Sequence, residues 1–276
     1  MVRTLQSGWY RRLAVAAGLL LLPTLLLAAD RRARAPKPGE YNPQNTTVEM
    51  FSAIESGDIE VTLIPKDSTQ ARIMIANKTN KPLNVKLPAA FAGVPVLGQV
   101  GGAAPGAANP GGAANINQQM GGGMMGGMGG MGMGGMGMGG MGGGFFNIPA
   151  EKVGKLSAPC VCLEHGKREP KPQIKYEIRP IESVTDKPAV QELCRMLGTG
   201  QIDQRAAQAA AWHLNNNMSW EKLAAKRIEH ADGSKEPYFT SAQLQWGVRI
   251  AATATKQAEE RQKQQSTNSA SSTATN

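Results

Sequence analysis

The residues best suited to chemistry lie in two short stretches of the chain. The first reads Cys-Val-Cys-Leu-Glu-His-Gly-Lys from Cys160 to Lys167, and the second reads Gln-Ala-Ala-Ala-Trp-His from Gln208 to His213. A thiol can act as a nucleophile, a disulfide partner or a metal ligand, depending on what is held against it. The sequence therefore raises three possibilities, which are a covalent cysteine–glutamine site, a disulfide and a metal site.

Gln208 has an unusual place on its predicted helix, which runs from Gln204 to Leu214 behind the N-cap residue Asp203. The stripe predicted to be buried consists of Ala207, Ala210, Ala211 and Leu214. Gln208 lies beside this stripe, and Trp212 follows one turn later. The pattern predicts a carboxamide held at the edge of the core.

The two stretches together resemble bacterial surface thioester domains and their exported relatives. The shared features are a strand end that carries Cys-Leu, a following Gly-Lys and Pro, and then a helix with Gln-x-Ala-x-Trp, over about Val161 to Trp220. The resemblance implies that Cys162 is the thiol and Gln208 the acyl partner of a bond whose formation releases ammonia. The alternative is a shared scaffold in which Gln208 is a capped or hydrogen-bonded residue at the core edge.

A disulfide is the second possibility for the three cysteines Cys160, Cys162 and Cys194. Cys194 lies on the first predicted helix and could pair with either of the other two in an oxidising compartment. It is also flanked by Leu193 and Leu197 at helical spacing, which favours a plain core residue. The sequence leaves both interpretations open.

A metal site is the third possibility. Its candidate thiolate and imidazole ligands are Cys160, Cys162, His165, Cys194 and His213. The four-ligand zinc pattern, with C-x2-C and a second pair, does not occur, so we expect no metal and no other cofactor. Soft thioethers in the Gly/Met-rich segment could bind Cu(I) outside the cytoplasm, and the candidate ligands are Met131, Met133, Met136 and Met138.

Catalytic and nucleic-acid-binding patterns are scarce. No hydrolase motif, no H-E-x-x-H and no phosphate loop with Lys-Ser/Thr occurs in the sequence. The net charge of +9 is spread along the chain and mixed with acidic residues rather than interleaved with stacking aromatics, so we expect no nucleic-acid partner. These absences favour a structural or interaction protein over an enzyme.

The N-terminus predicts export. Arg3, Arg11 and Arg12 precede an apolar run from Leu13 to Ala29, which is the layout of a secretory signal. The run is slightly short of the ~20 apolar residues that a membrane span needs, yet an uncleaved anchor through residues 13–29 stays possible. We therefore expect a chain in the periplasm, at the cell surface or anchored in the membrane, with an unknown envelope or surface partner.

The order of periodic segments predicts an α+β chain. Alternating strands suggest an antiparallel Ig-like β-sandwich, interrupted by a disordered Gly/Met-rich insertion and followed by a small all-helical subdomain. One of its predicted helices spans Trp220 to Glu229, and the last runs from Ser241 to about Arg261. The predicted segments are a signal peptide or anchor at 1–29, a Pro-rich tether at 30–46, the first part of the β domain at 47–97, the insertion at 98–144, the second part of the β domain at 145–182, the helical subdomain at 187–262 and a disordered tail at 263–276.

Overall fold

Short strands come first in the structure and longer helices later. The computed structural model describes residues 39–96, 117–124 and 144–273, with side chains to residue 268. The strands in these residues are β1 (Thr46–Glu49), β2 (Ile59–Pro65), β3 (Gln70–Asn77), β4 (Leu83–Lys86), β5 (Phe91–Pro95), β6 (Met120–Gly122), β7 (Phe145–Ile148), β8 (Val153–Cys162), β9 (Tyr176–Arg179), β10 (Arg227–Glu229) and β11 (Lys235–Pro237). The α-helices are α1 (Met50–Glu55), α2 (Pro188–Gly198), α3 (Gln204–Asn216), α4 (Trp220–Ala225) and α5 (Ser241–Thr273).

The central feature is a closed barrel of antiparallel strands in the order β2-β3-β8-β6-β5-β9. Strand β9 pairs with β5 along its length and meets β2 at the single pair Leu63–Tyr176, which completes the circle. Large apolar side chains such as Phe91, Ile73 and Met120 fill the interior. The chain is α+β, but the predicted Ig-like sandwich is wrong, because alternation along a strand reveals its buried face and not which edges join.

Strand β6 lies inside the predicted disordered insertion at 98–144. It pairs with β5 on one side and with β8 on the other, and Met120 is fully buried. A Cβ atom on Gly122 would lie 2.6 Å from the ring of Phe91, and one on Gly121 would lie 2.6 Å from Cys194 Sγ. The glycines therefore allow close packing on both faces of β6, a role that composition does not distinguish from that of a linker. The rest of the insertion, at 98–116 and 125–143, lies outside the described residues.

A second sheet holds the start of the described chain. Strand β4 pairs in parallel with β1 and antiparallel with β7. The side chain of Asn84 donates to the carbonyls of Asn42 (2.6 Å) and Asn45 (3.1 Å) and accepts from Asn147 at 2.9 Å. Buried amides thus fix the described end of the predicted 30–46 tether to the sheet.

The helices form a layer on the barrel wall. Helices α2, α3 and α5 pack against one another, and α2 and α3 also pack on β8, around an apolar cluster that includes Val161, Leu163, Leu193 and Ala210. All described residues belong to one structural unit.

Two boundaries in the helical part differ from those predicted. A helix was predicted over Trp220 to Glu229, but the observed helix ends at Ala225. The last three residues of the predicted range form β10, which pairs with β11. Helix α5 continues to Thr273, through most of the predicted 263–276 tail. Among the described helices, none combines the length and the apolar character that crossing a bilayer requires. The predicted signal or anchor at 1–29 lies outside the described residues.

Candidate functional site

Cys162 and Gln208 meet where the end of β8 touches the middle of α3. The backbone N–H of Cys162 donates to Gln208 Oε1 at 2.7 Å, and Gln208 Nε2 donates to the carbonyl of Cys162 at 2.8 Å. Gln208 is 2% exposed and Cys162 is 1% exposed. The buried carboxamide thus pairs with β8 as a strand residue would.

A second glutamine one turn earlier extends this pairing. The register between β3 and β8 ends at Gln70 opposite Pro159. Beyond that point Gln204 Nε2 donates to the carbonyl of Cys160 at 2.8 Å, and Gln208 follows at Cys162. Because residues four apart share a helix face, the two glutamines continue along β8 where β3 has stopped. We call Gln204 and Gln208 the glutamine ladder.

Two asparagines at the end of α3 continue the contact beyond β8. Asn215 Nδ2 donates to the carbonyl of Leu163 at 2.7 Å, and the N–H of His165 donates to Asn216 Oδ1 at 3.3 Å. Sequence reasoning missed Gln204, Asn215 and Asn216. The only sequence feature that could have indicated them is the recurrence of amide side chains along one helix. Their partners are backbone groups, which cannot be recognised from residue types.

Local sequence explains why α3 can lie this close to the barrel. Asp203 Oδ1 caps the helix by accepting from the N–H of Ala206 at 2.8 Å, and Asn217 ends it in the left-handed conformation with φ of 53°. The residues of α3 that are fully buried are Ala206, Ala207, Ala209, Ala210 and Ala211. Small side chains bring the helix axis near the strand, so that a glutamine can reach its backbone.

The three thiols are buried and free in this structure. Burial, reinforced by the charges of Glu169 and Asp67, raises the pKa of the Cys162 thiol. Burial also raises the pKa of Cys160 well above its usual range and that of Cys194 to about 12. All three are therefore protonated at neutral pH, the form in which a cysteine is a weak nucleophile.

The candidate disulfide partners lie in different parts of the core. Cys160 belongs to the barrel interior, Cys194 to the cluster under the helices, and Cys162 to a third cluster with Trp212 and Phe239. Cys194 faces Gly121 on the wall of the barrel, whereas Cys160 packs inside it. The structure therefore assigns no pair, and a disulfide stays a prediction.

Aromatic side chains cover the Cys162 end of the site. The ring of Trp212 lies 4.8 Å from that of His165, 5.5 Å from Tyr238 and 5.9 Å from Phe239, between ring centroids. Lys226 Nζ lies 5.3 Å from the Trp212 ring centroid and 3.2 Å from His165 Nε2. Burial, followed by the charge of Lys226, lowers the pKa of His165. Neutral His165 can then accept a hydrogen bond from the ammonium group.

The metal-ligand candidates do not converge in the described part of the chain, where no three His, Cys, Asp or Glu side chains form a metal-binding group. His213 Nδ1 lies 2.8 Å from the carbonyl of Met218, and its ring stacks on Trp220 at 4.4 Å. His165 lies against Trp212 instead. The candidate copper ligands, which are Met131, Met133, Met136 and Met138, lie outside the described residues.

Fold and site together define an α+β module in which a helix layer is hydrogen-bonded to the wall of a small barrel. Comparison of the chain with protein-family models, with curated proteins and with solved structures finds no match. The resemblance to thioester domains therefore stays a hypothesis that rests on the pattern around Cys162 and Gln208.

Proposed function

We propose that this chain is an exported protein of the cell envelope that acts as a structural or interaction module without catalytic activity. The observation that supports the proposal best is the pairing of the Gln208 carboxamide with both backbone groups of Cys162. An amide whose oxygen and nitrogen are both bonded in this way holds α3 to the barrel. The residue that most suggests chemistry in the sequence thus has a structural role.

The state of the thiols supports the same proposal. A nucleophilic cysteine needs a lowered pKa and an adjacent base or cation. Burial raises the pKa of the Cys162 thiol, and its hydrogen-bond partner is the carbonyl of Ser68 at 3.9 Å. Neither feature activates the sulfur.

Export is the part of the proposal that rests on sequence alone, namely on the basic residues before the Leu13–Ala29 run. Cell fractionation of the C-terminally tagged full chain tests it. We expect the chain in the envelope or periplasmic fraction, and a variant lacking residues 1–29 in the cytoplasm. A variant lacking residues 31–38, which keeps the apolar run, is the matched control. A full-length chain in the cytoplasmic fraction would contradict export.

A thioester adhesin is the second candidate, because the two hydrogen bonds hold the Gln208 acyl group beside the residue that carries the thiol. In this reaction Cys162 Sγ would bond to Gln208 Cδ, the C–N bond would break, and the nitrogen would leave with the thiol proton as ammonia. An amine on a partner surface could then form a new amide and release the thiol.

Mass spectrometry of unreduced peptides separates the two candidates. The structural proposal predicts Cys162 and Gln208 on separate peptides with unchanged masses, and no incorporation of methylamine. The adhesin predicts a linked pair lighter by one ammonia, which methylamine opens. The Cys162→Ala variant, which cannot form the bond, is the reference for both outcomes.

A further inference from the structure

A groove open to solvent lies in the helix layer. It has a volume of about 390 Å³ and runs between the end of α2, the following loop and α5. Its apolar lining comes from Met196, Ile202 and Ile250, together with Trp246. This volume is within the range of small-ligand sites in proteins, which is roughly 300 to 1,000 Å³.

Trp246 gives the groove a flat, accessible ring. It is 55% exposed, the largest exposed fraction among the large apolar side chains in the described part of the chain. The next residue, Gly247, is buried, and a Cβ atom there would lie 3.2 Å from the carbonyl oxygen of Ala206. Close packing at Gly247 holds α5 against α3. The position of the neighbouring Trp246 relative to α3 is therefore fixed. The guanidinium of Arg249 lies 5.0 Å from the centroid of the Trp246 ring and covers one of its two faces.

The polar side chains of the groove supply both hydrogen-bond donors and acceptors without a net charge. Arg249 is a donor, Asp203 is an acceptor, and Gln201 can be either. The hydroxyl of Thr253 donates to the carbonyl of Arg249 at 2.8 Å and is left as an acceptor. One cation and one anion balance, so the lining favours neither a strongly anionic nor a strongly cationic ligand. Asp203 keeps its place because it also caps α3 through Ala206.

We propose that this groove binds a neutral saccharide. A pyranose ring has an apolar C–H face, which matches the ring of Trp246, and peripheral hydroxyl groups, which match the donors and acceptors of the lining. An aliphatic tail would match only the apolar part of the lining. The inference rests on the proposed function and deepens it, because it makes the unknown envelope partner a glycan.

The test is titration of the purified full chain with cellohexaose, chitohexaose and maltohexaose, followed by calorimetry and tryptophan fluorescence. We expect saturable binding of at least one of them. Trp246→Ala should weaken that binding at least about tenfold, since an exposed aromatic anchor dominates such sites. Arg249→Gln and Asp203→Asn should weaken it less, and the asparagine preserves the helix cap.

Val248→Ala is the matched control, because Val248 is also exposed on α5 but does not line the groove. Its affinity should equal that of the wild type. Three results would overturn the proposal: no binding of any saccharide at millimolar concentration, binding that Trp246→Ala leaves unchanged, or binding of dodecanoate in place of the saccharides. These measurements use purified protein, so their failure leaves the fractionation result on export untouched.

Discussion

Gln204 and Gln208 take over the hydrogen bonds of β8 where β3 has ended. A buried backbone group without a partner costs about 1 to 3 kcal/mol, so such side chains are structural even when they resemble reactive groups. Gln208 makes two hydrogen bonds to β8, whereas Gln204 makes one. Removing the Gln208 carboxamide should therefore lower the free energy of unfolding more than removing that of Gln204.

Gln208→Leu is the direct test of this ranking. It keeps the size of the side chain but leaves the N–H and the carbonyl of Cys162 unpaired in the core, so we expect the free energy of unfolding in urea to fall by about 3 kcal/mol. Gln204→Leu, the matched control on the same helix face, frees only the carbonyl of Cys160 and should cost about 1 kcal/mol. Equal losses of unfolding free energy in the two variants would contradict the claim that Gln208 satisfies two backbone groups of β8 and Gln204 only one.

The thiol of Cys194 predicts a dependence of stability on pH. Its pKa is raised to about 12 in the folded chain, against about 8.5 when unfolded. Below pH 8.5 both states are protonated, so the contribution is fully present there; it is lost as the pH rises towards the folded pKa. We expect a loss of about 1.4 kcal/mol by pH 9.5. Urea titrations from pH 7 to 9.5 should show a steeper decline for the wild type than for Cys194→Ala, and parallel curves would contradict the burial of this thiol.

Part of the site was predictable at the scale of residues. Gln208 was recognisable because a polar side chain beside an alanine stripe breaks the expected pattern. That Trp212 is buried, with 4% of its surface exposed, follows from the same helix face. Gln204 was not recognised, because it lies in the first turn of the helix, before the alanine stripe begins.

Helix α5 is joined to α2 by an ionic cluster around Glu192, which is 2% exposed. Arg261 of α5 binds both carboxylate oxygens of Glu192, and Arg195 binds one of them at 2.9 Å. A carboxylate buried in this way depends on its cations. The cluster thus fixes α5 near the point where it leaves the helix layer.

Arg261→Met tests the cluster. Arg195 remains on Glu192, so we expect a loss of stability of about 1 to 2 kcal/mol rather than the full cost of an unpaired buried charge. Amide hydrogen exchange should become faster over residues 255–273 of α5. Lys256→Met, which removes an exposed pair with Glu260 at 3.9 Å, should change neither quantity measurably. Unchanged exchange in Arg261→Met would show that α5 is held by its apolar contacts alone.

Strands were easier to predict than their partners. The segments around β2, β3 and β8 show the period-two pattern, and the structure has strands there. Strand β6 could not be recognised, because Met-Gly-Gly has no alternation and another glycine, Gly123, follows it. Deleting residues 101–143 would therefore remove a strand of the barrel.

At the scale of the whole molecule, the mixed α+β content follows from composition and periodicity, whereas the closed barrel does not. Closure depends on β9 meeting both β5 and β2, and on a strand from the Gly/Met-rich segment. Such long-range pairing is decided by packing between distant segments. The amides of Asn42 and Asn84 likewise tie the start of the described chain to the sheet through contacts with no local signature.

The central claim is that the Gln208 carboxamide is intact and paired with Cys162. Nuclear magnetic resonance of the ¹⁵N-labelled full chain tests it most directly, with Gln208→Met identifying the side-chain resonances. We predict two Nε2 proton resonances for Gln208, one of them protected from exchange by its bond to the Cys162 carbonyl. A folded wild-type chain without any Gln208 carboxamide resonance would contradict the claim, because it would mean that this nitrogen has been lost.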